Sequence, residues 1–318
     1  MNYTYFYKSR YHSPKDVVLA GKYDVLISAY SHDDRVIQPW NYIDAVRKIW
    51  IVNPNSPNLD KKPSGEDFVL NDLNSFEEVK HILDTIKLTP CMRICVDSTG
   101  FVVPVLYMLI KSFQLMKILN FDVIYSEPQK YKFAEGTDFT EDCYDVSQIF
   151  GYAGTHIPDM SRDLLIVASG YDDQRICDVA NDKKSAKKVQ LIGFPSLQAD
   201  MYQENLIKAC NAESALGSDC IMHMENNIFS PAYDPFVTAQ AISNYLNEKQ
   251  AKRPFSNIYF APLSTKPHAL GIALFYLCEG GHHQAMSVLY PLCKNYITET
   301  TDGVGNVWKY TFEIPSYQ

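Results

Sequence analysis

Asn257 to Leu277, N-I-Y-F-A-P-L-S-T-K-P-H-A-L-G-I-A-L-F-Y-L, reads as a buried strand, a polar turn and an apolar helix. Ile258 to Ala261 is a short β-prone run bounded by turn signals. Ser264, Thr265 and Lys266 put three polar side chains in the turn, and Pro267 suits the first helical position, where its missing N–H costs nothing. An anion could sit at that helix start, because the first backbone N–H groups have no intrahelical acceptor.

The same plan occurs upstream in Arg93 to Ile110, R-I-C-V-D-S-T-G-F-V-V-P-V-L-Y-M-L-I, where Ser98-Thr99 matches Ser264-Thr265. D-V-L-I-S-A-Y-S-H-D-D-R from Asp24 matches D-L-L-I-V-A-S-G-Y-D-D-Q from Asp163, each an apolar strand ending in a turn with paired aspartates. V-I-Y from Val123, followed by Tyr131, matches V-L-Y from Val288, followed by Tyr296. Three matches in the same order argue for an internal duplication.

Between the matches, strands alternate with helices. In the first half, strands are expected at Asp24–Ala29, Lys48–Val52, Arg93–Val96 and Phe121–Tyr125, with a helix from about Val36 to Arg47 and another opened by the capping box Ser75-Phe-Glu-Glu78. In the second half, strands are expected at Leu164–Ala168, Val189–Ile192, Asn257–Ala261 and Val288–Tyr290, and Asp234-Pro235 opens a helix that answers the one at Ser75. This order predicts an α/β fold of two tandem Rossmann-like lobes, each a doubly wound, mainly parallel sheet. Lobe 1 is placed at residues 1–155 with an aromatic N-terminal extension, and lobe 2 at residues 156–318. Asp302-Gly303 and the alternation of Trp308, Tyr310, Phe312 and Ile314 suggest a C-terminal β-hairpin, and residues 211–232 read as the largest loop.

With 318 residues, 46% apolar and 21% charged, the chain has the composition of a folded globular protein of two domains. A net charge of −8 excludes a general nucleic-acid coat, which needs clustered Lys and Arg. The apolar run from Phe101 to Ile110 is too short to span a bilayer, and M-N-Y-T-Y-F-Y-K-S-R lacks a signal-peptide core, so the expectation is a cytoplasmic protein without membrane association. Eight cysteines without a CxxC pair are expected to be reduced and packed. The His282-His283 pair and His223 are weighed as metal ligands and set aside as structural histidines. No metal or cofactor is expected. G-x-S-x-G, Walker A, G-x-G-x-x-G and H-E-x-x-H are absent from the sequence, which removes the easily read hydrolases, NTPases and dehydrogenases.

In an open parallel sheet, ligands bind beyond the carboxyl ends of the strands. The candidate ligand-binding residues at that edge are Asp33, Asp34, Arg35, Asp97, Ser98, Thr99 and Gly100 in lobe 1. In lobe 2 they are Tyr171, Asp172, Asp173, Arg175, Ser264, Thr265 and Lys266. Gly, Ser and Thr let a phosphate approach helix-start amides, Lys266 adds a positive charge, and the aspartates could accept from ribose hydroxyls. The plainer reading is structural: Ser, Thr and Asp collect in any strand-to-helix turn as N-caps, with Asp34 and Asp173 the best placed. Lys266 resists it, because a cation in a first helical turn opposes the macrodipole.

The D-x-T-G turn at Asp97 to Gly100 and the S-T-K turn at Ser264 to Lys266 resemble parts of the D-x-T-G-G-T-K signature of CRISPR-associated Rossmann-fold (CARF) domains. In plan the chain is similar to the related SAVED domains, two such units in one chain. Lobe 1 has Asp97, Thr99 and Gly100 of the signature without its second Gly, Thr and Lys; lobe 2 has Thr265 and Lys266 without the Asp and glycines. The resemblance implies a nucleotide-derived ligand held between the lobes in a prokaryotic defence-type system. No separate effector domain is visible in the 318 residues, so a sensor is expected to need a partner protein, either an effector or a complex subunit. The segment from Asp24 to Arg35 also resembles the opening strand and loop of TIR domains, which implies NAD cleavage instead. The polar turns also admit a phosphodiesterase using Lys266 or Arg175, or a non-catalytic subunit of a defence or nucleic-acid-processing complex.

Overall fold

A computed structural model of the chain describes residues 1–131, 140–280, 285–296 and 301–316. Lobe 1 opens with β1 (Lys8–Tyr11), β2 (Tyr23–Ala29) and α1 (Asp34–Tyr42), and continues through β3 (Ala45–Val52) and β4 (Glu66–Val69). It then runs through α2 (Phe76–Ile86), β5 (Ile94–Asp97), α3 (Val103–Leu115) and β6 (Asn120–Tyr131). Next come β7 (Thr140–Gln148), β8 (Leu164–Ala168), α4 (Asp173–Asp182), β9 (Lys187–Gly193) and three short helices, α5 (Met201–Asn211), α6 (Glu213–Leu216) and α7 (Ser218–Met222). The remainder is β10 (Asn227–Ser230), α8 (Pro235–Lys252), β11 (Ile258–Pro262), α9 (Lys266–Glu279), β12 (Met286–Tyr296) and β13 (Thr301–Glu313).

The two sheets have one strand order. The first runs β4-β3-β2-β5-β6-β13-β1 and the second β10-β9-β8-β11-β12-β7. Position by position, β2, β3, β5 and β6 correspond to β8, β9, β11 and β12, all parallel within their sheet. From β2 the chain crosses first to β3 and later to the other side at β5, and from β8 likewise to β9 and then β11. This winding places a topological switch point between β2 and β5 in one lobe and between β8 and β11 in the other. Two mostly parallel sheets of seven and six strands, each with this order, are the duplicated α/β fold read from the sequence.

Local chemistry sets the elements. The Ser75 hydroxyl accepts from the Glu78 amide and starts α2, whose Phe76, Val79, Ile82, Leu83 and Ile86 form one apolar stripe. The Glu78 carboxylate turns away from the cap and accepts from the Asn71 and Asp72 amides. Asp234 caps α8, accepting from the amides of Phe236 and Val237 at 3.1 Å, with Pro235 in the first helical position. α3 and α9 are buried along nearly their whole length, and β8 and β11 are buried at every residue, as expected of central parallel strands covered on both faces. In lobe 1, Trp40 of α1 stacks on Trp50 of β3 with ring centroids 3.5 Å apart.

Four expectations change. The C-terminal segment is not a hairpin: β13 is one strand through Asp302-Gly303, antiparallel to β6 on one side and to β1 on the other. β7, in turn, lies antiparallel to β12. The chain therefore divides into compact units that exchange segments, Phe6–Thr137 with Thr298–Gln318 and Met1–Tyr5 with Asp138–Ile297, rather than at one cut near residue 155. The cause is that β6 and β12 each take an antiparallel neighbour distant in sequence, which periodicity does not reveal. The first five residues belong to the second unit, where the buried Tyr3 donates its hydroxyl to Glu279 at 2.9 Å and its amide to Gln240 at 3.0 Å. Residues 211–232 carry α6, α7 and β10 instead of a loop. Finally, Cys293 is disulfide-bonded, against the expectation of reduced cysteines. In the register of β12 with β7, position 293 stands opposite position 143.

Among the described residues, no helix is long and apolar enough to cross a membrane. His282 and His283 lie outside the described residues; His223 is exposed, its Nε2 3.8 Å from Asp219.

Candidate functional site

In lobe 1 the polar turns are largely taken up by the fold. Asp33, not Asp34, caps α1, accepting from the Arg35 amide at 2.8 Å. Arg35 closes a fork on the same carboxylate, with Nη2 2.8 Å from Oδ2, and the Thr301 hydroxyl donates to it at 2.9 Å. Burial pushes the Asp33 carboxyl up, but the hydrogen bonds and charge of Arg35, with Thr301, overcome this and hold it below the usual carboxylate range. Asp34 is exposed in the first helical turn, where its charge favours the helix dipole.

At the end of β5, Asp97 is buried, accepting from the Ser28 hydroxyl at 3.2 Å and the Thr99 amide at 3.0 Å. Burial raises its carboxyl to about 6, against the opposing effect of Thr99, Ser28 and Arg35. The Ser98 amide and hydroxyl both donate to the Ile124 carbonyl, and the Thr99 hydroxyl accepts from the Ser126 amide at 3.1 Å. Asp97 and Ser98 therefore shape the turn from inside, while Thr99 and Gly100 stay half-buried at its surface.

Lobe 2 begins the same way. Asp172, not Asp173, caps α4 through the Arg175 amide at 3.1 Å, and Asp173 meets Lys208 at 3.4 Å and Asn211 at 3.1 Å. Arg175 is buried, with its guanidinium 4.6 Å from the Tyr290 ring centroid. The Tyr171 hydroxyl donates to the Met201 carbonyl at 3.3 Å.

Ser264, Thr265 and Lys266 differ from these residues, since all three remain half-buried at the start of α9, at the carboxyl end of β11. Thr265 is the N-cap, accepting from the His268 amide and donating to the Ala232 carbonyl at 2.7 Å. Lys266 is the first residue of the fourteen-residue α9, whose first turn carries no acidic residue. Gly170 brings the neighbouring strand end against this turn: a Cβ there would stand 2.0 Å from the Leu263 carbonyl oxygen and 3.5 Å from the Ser264 Cα. The structure thus gathers Gly170, Ser264, Thr265 and Lys266 at the lobe 2 switch point.

Four residues that sequence reading did not select complete this corner. His268 is fully buried, with Nδ1 3.0 Å from the Ser264 hydroxyl and Nε2 3.1 Å from the Ser230 hydroxyl. Burial lowers its imidazole to about 4, so it is neutral near pH 7. Thr238 lies 3.0 Å from the Ser230 hydroxyl. Asn205 donates through Nδ2 to the carbonyls of Ser169 at 2.5 Å and Gly170 at 3.2 Å. The spacing of Ser264 and His268, one helical turn, was the available signal for the histidine. Asn205, Ser230 and Thr238 reach the corner through nonlocal packing and have no local signature.

No protein-family model matches the chain, and no curated protein does. A solved structure described as "crystal structure of an N-terminal ketoreductase from macrolactin assembly line" is similar at 12% identity over 88% of this chain and 72% of that one, with a TM-score of 0.23. At that score the likeness carries no argument about fold or function.

Proposed function

We propose that the chain binds a nucleotide-derived ligand, with the strand-end corner of lobe 2 as the principal contact and Lys266 meeting a phosphate. The observation that carries this reading is the placement of Lys266 on the first turn of α9, beside a half-buried Ser264 and Thr265 at a switch point. The Lys266 ammonium at the positive end of the α9 dipole, on one strand edge, suits an anionic group, and the nearby hydroxyl and carbonyl groups suit a sugar. Binding is favoured over hydrolysis, because a neutral histidine with its imidazole lowered to about 4 is a weak general base near pH 7. The wider role, a sensor acting with an effector or complex subunit in a prokaryotic defence-type system, is supported by the partial likeness of the Asp97 and Ser264 turns to the CARF signature.

Incubating the protein with a panel of cyclic and linear nucleotides, followed by mass spectrometry and thermal-shift readout, tests the proposal. Binding without turnover is the expected result. Turnover would assign an enzyme acting on the same ligands, and neither binding nor turnover would overturn the reading.

A further inference from the structure

Phe194 opens the turn after β9 with 56% of its surface exposed, and its ring packs against Tyr202 in a T-shaped pair, centroids 5.3 Å apart at 62°. Tyr202 lies in the first turn of α5, which is tied to the end of β8 on either side of it. The Tyr171 hydroxyl donates to the Met201 carbonyl, and Asn205 donates to the carbonyls of Ser169 and Gly170. Apolar side chains scattered singly on a surface need no explanation, but a phenylalanine braced by a second, anchored ring is a preorganised aromatic face.

The Phe194 turn shares an edge with Lys266. A Cβ at Gly193, the residue before Phe194, would stand 3.4 Å from His268 Cε1 in the first turn of α9 and 3.1 Å from the Ala232 Cβ. The Phe194 amide donates to the Ser230 carbonyl at 2.8 Å, the Ala232 amide to the Pro195 carbonyl at 2.9 Å, and the Thr265 hydroxyl to the Ala232 carbonyl at 2.7 Å. Hydrogen bonds thus run from the Phe194 turn to the N-cap of α9. In the sheet β8 lies between β9 and β11, so Phe194 and Lys266 follow strand ends two spacings, about 10 Å, apart. β8 ends between them at Gly170, which has no side chain to fill the gap. Aromatic ring, glycine and ammonium stand in that order along one edge, a span that a single nucleotide covers from base to phosphate.

We infer that Phe194, braced by Tyr202, is the nucleobase platform of the lobe 2 site, with the base stacked on its ring, the sugar over Gly170 and the phosphate at Lys266. The inference rests on the nucleotide-binding reading above and adds the residue that tells a nucleotide from a sugar phosphate. Every base has a π-face, so the platform requires a base without selecting which.

Calorimetric titration of the full chain with adenosine 5′-monophosphate and with ribose 5-phosphate tests this. Wild type should bind the nucleotide about tenfold or more tightly than the sugar phosphate, Phe194→Ala should bring the two within about threefold, and Phe194→Trp should restore the preference. Lys266→Ala should weaken both probes alike. In Phe194→Trp, adenosine 5′-monophosphate should also quench tryptophan emission beyond its effect on wild type, and ribose 5-phosphate should not. No preference in wild type, or a preference that survives Phe194→Ala, would overturn the platform while leaving phosphate binding at Lys266 intact. Equal loss of both probes in Phe194→Ala would also overturn it, since a base contact weakens only the nucleotide. If the panel yields a bound nucleotide but adenosine 5′-monophosphate does not bind, the base-tolerant platform falls alone. If no nucleotide binds, the functional reading falls and the platform falls with it.

Discussion

The backbone of Gly170 lies so close to Leu263 that a Cβ would stand 2.0 Å from the Leu263 carbonyl oxygen. In lobe 1 the matching approach is made from the opposite strand, where a Cβ on Gly100 would stand 2.3 Å from the Ala29 carbonyl oxygen. At both switch points a glycine lets two strand ends meet. Gly170→Ala and Gly100→Ala should each destabilise by about 1 to 3 kcal/mol, the range for forced overpacking, measured as a fall in the urea midpoint at constant slope. Wild-type stability in either variant would show that the approach is looser than described.

The caps of α1 and α4 give a second expectation. Asp33→Ala and Asp172→Ala should each cost about 1 to 2 kcal/mol, whereas Asp34→Ala should stay within about 0.5 kcal/mol, because only the first aspartate of each pair accepts from a helix-start amide. Denaturant titration of the three variants decides it; a larger loss for Asp34→Ala would move the cap by one residue.

Asp97 predicts a pH dependence of opposite sign to that of most carboxylates. Its folded-state carboxyl is raised from 3.8 to about 6 by burial. Stability from this group is therefore full below about 4 and is lost as pH rises through about 6, a change of roughly 3 kcal/mol for two pKa units. Asp97→Asn should flatten the stability profile between about pH 4 and 7. An unchanged profile in the variant would mean that Asp97 titrates normally.

The sequence made the duplicated plan legible because its signals are local. Paired aspartates after β2 and β8, the Ser75 cap, Asp234-Pro235 and the apolar runs of β8 and β11 each act within a few residues. They identified the caps of α2 and α8, though those of α1 and α4 sit one residue before the positions favoured from sequence. Nonlocal facts were out of reach: β13 beside β6, β7 beside β12, and the bonded state of Cys293 depend on strands more than a hundred residues apart. The candidate site divides in the same way. Ser264, Thr265 and Lys266 were visible as a polar turn, while Asp97, Ser98 and Arg175 carry the same residue types but turn into the fold. Burial, which the sequence does not print residue by residue, separates the two groups.

The most direct measurement of the central claim is calorimetric titration of wild type and Lys266→Ala with a nucleotide that the panel shows to bind. Removal of the ammonium should weaken binding by about 1.5 to 3 kcal/mol, the range for hydrogen bonds to charged groups, while changing folding stability by less than about 1 kcal/mol. Equal affinity of the two proteins at low and moderate salt would contradict the account and remove Lys266 from the site.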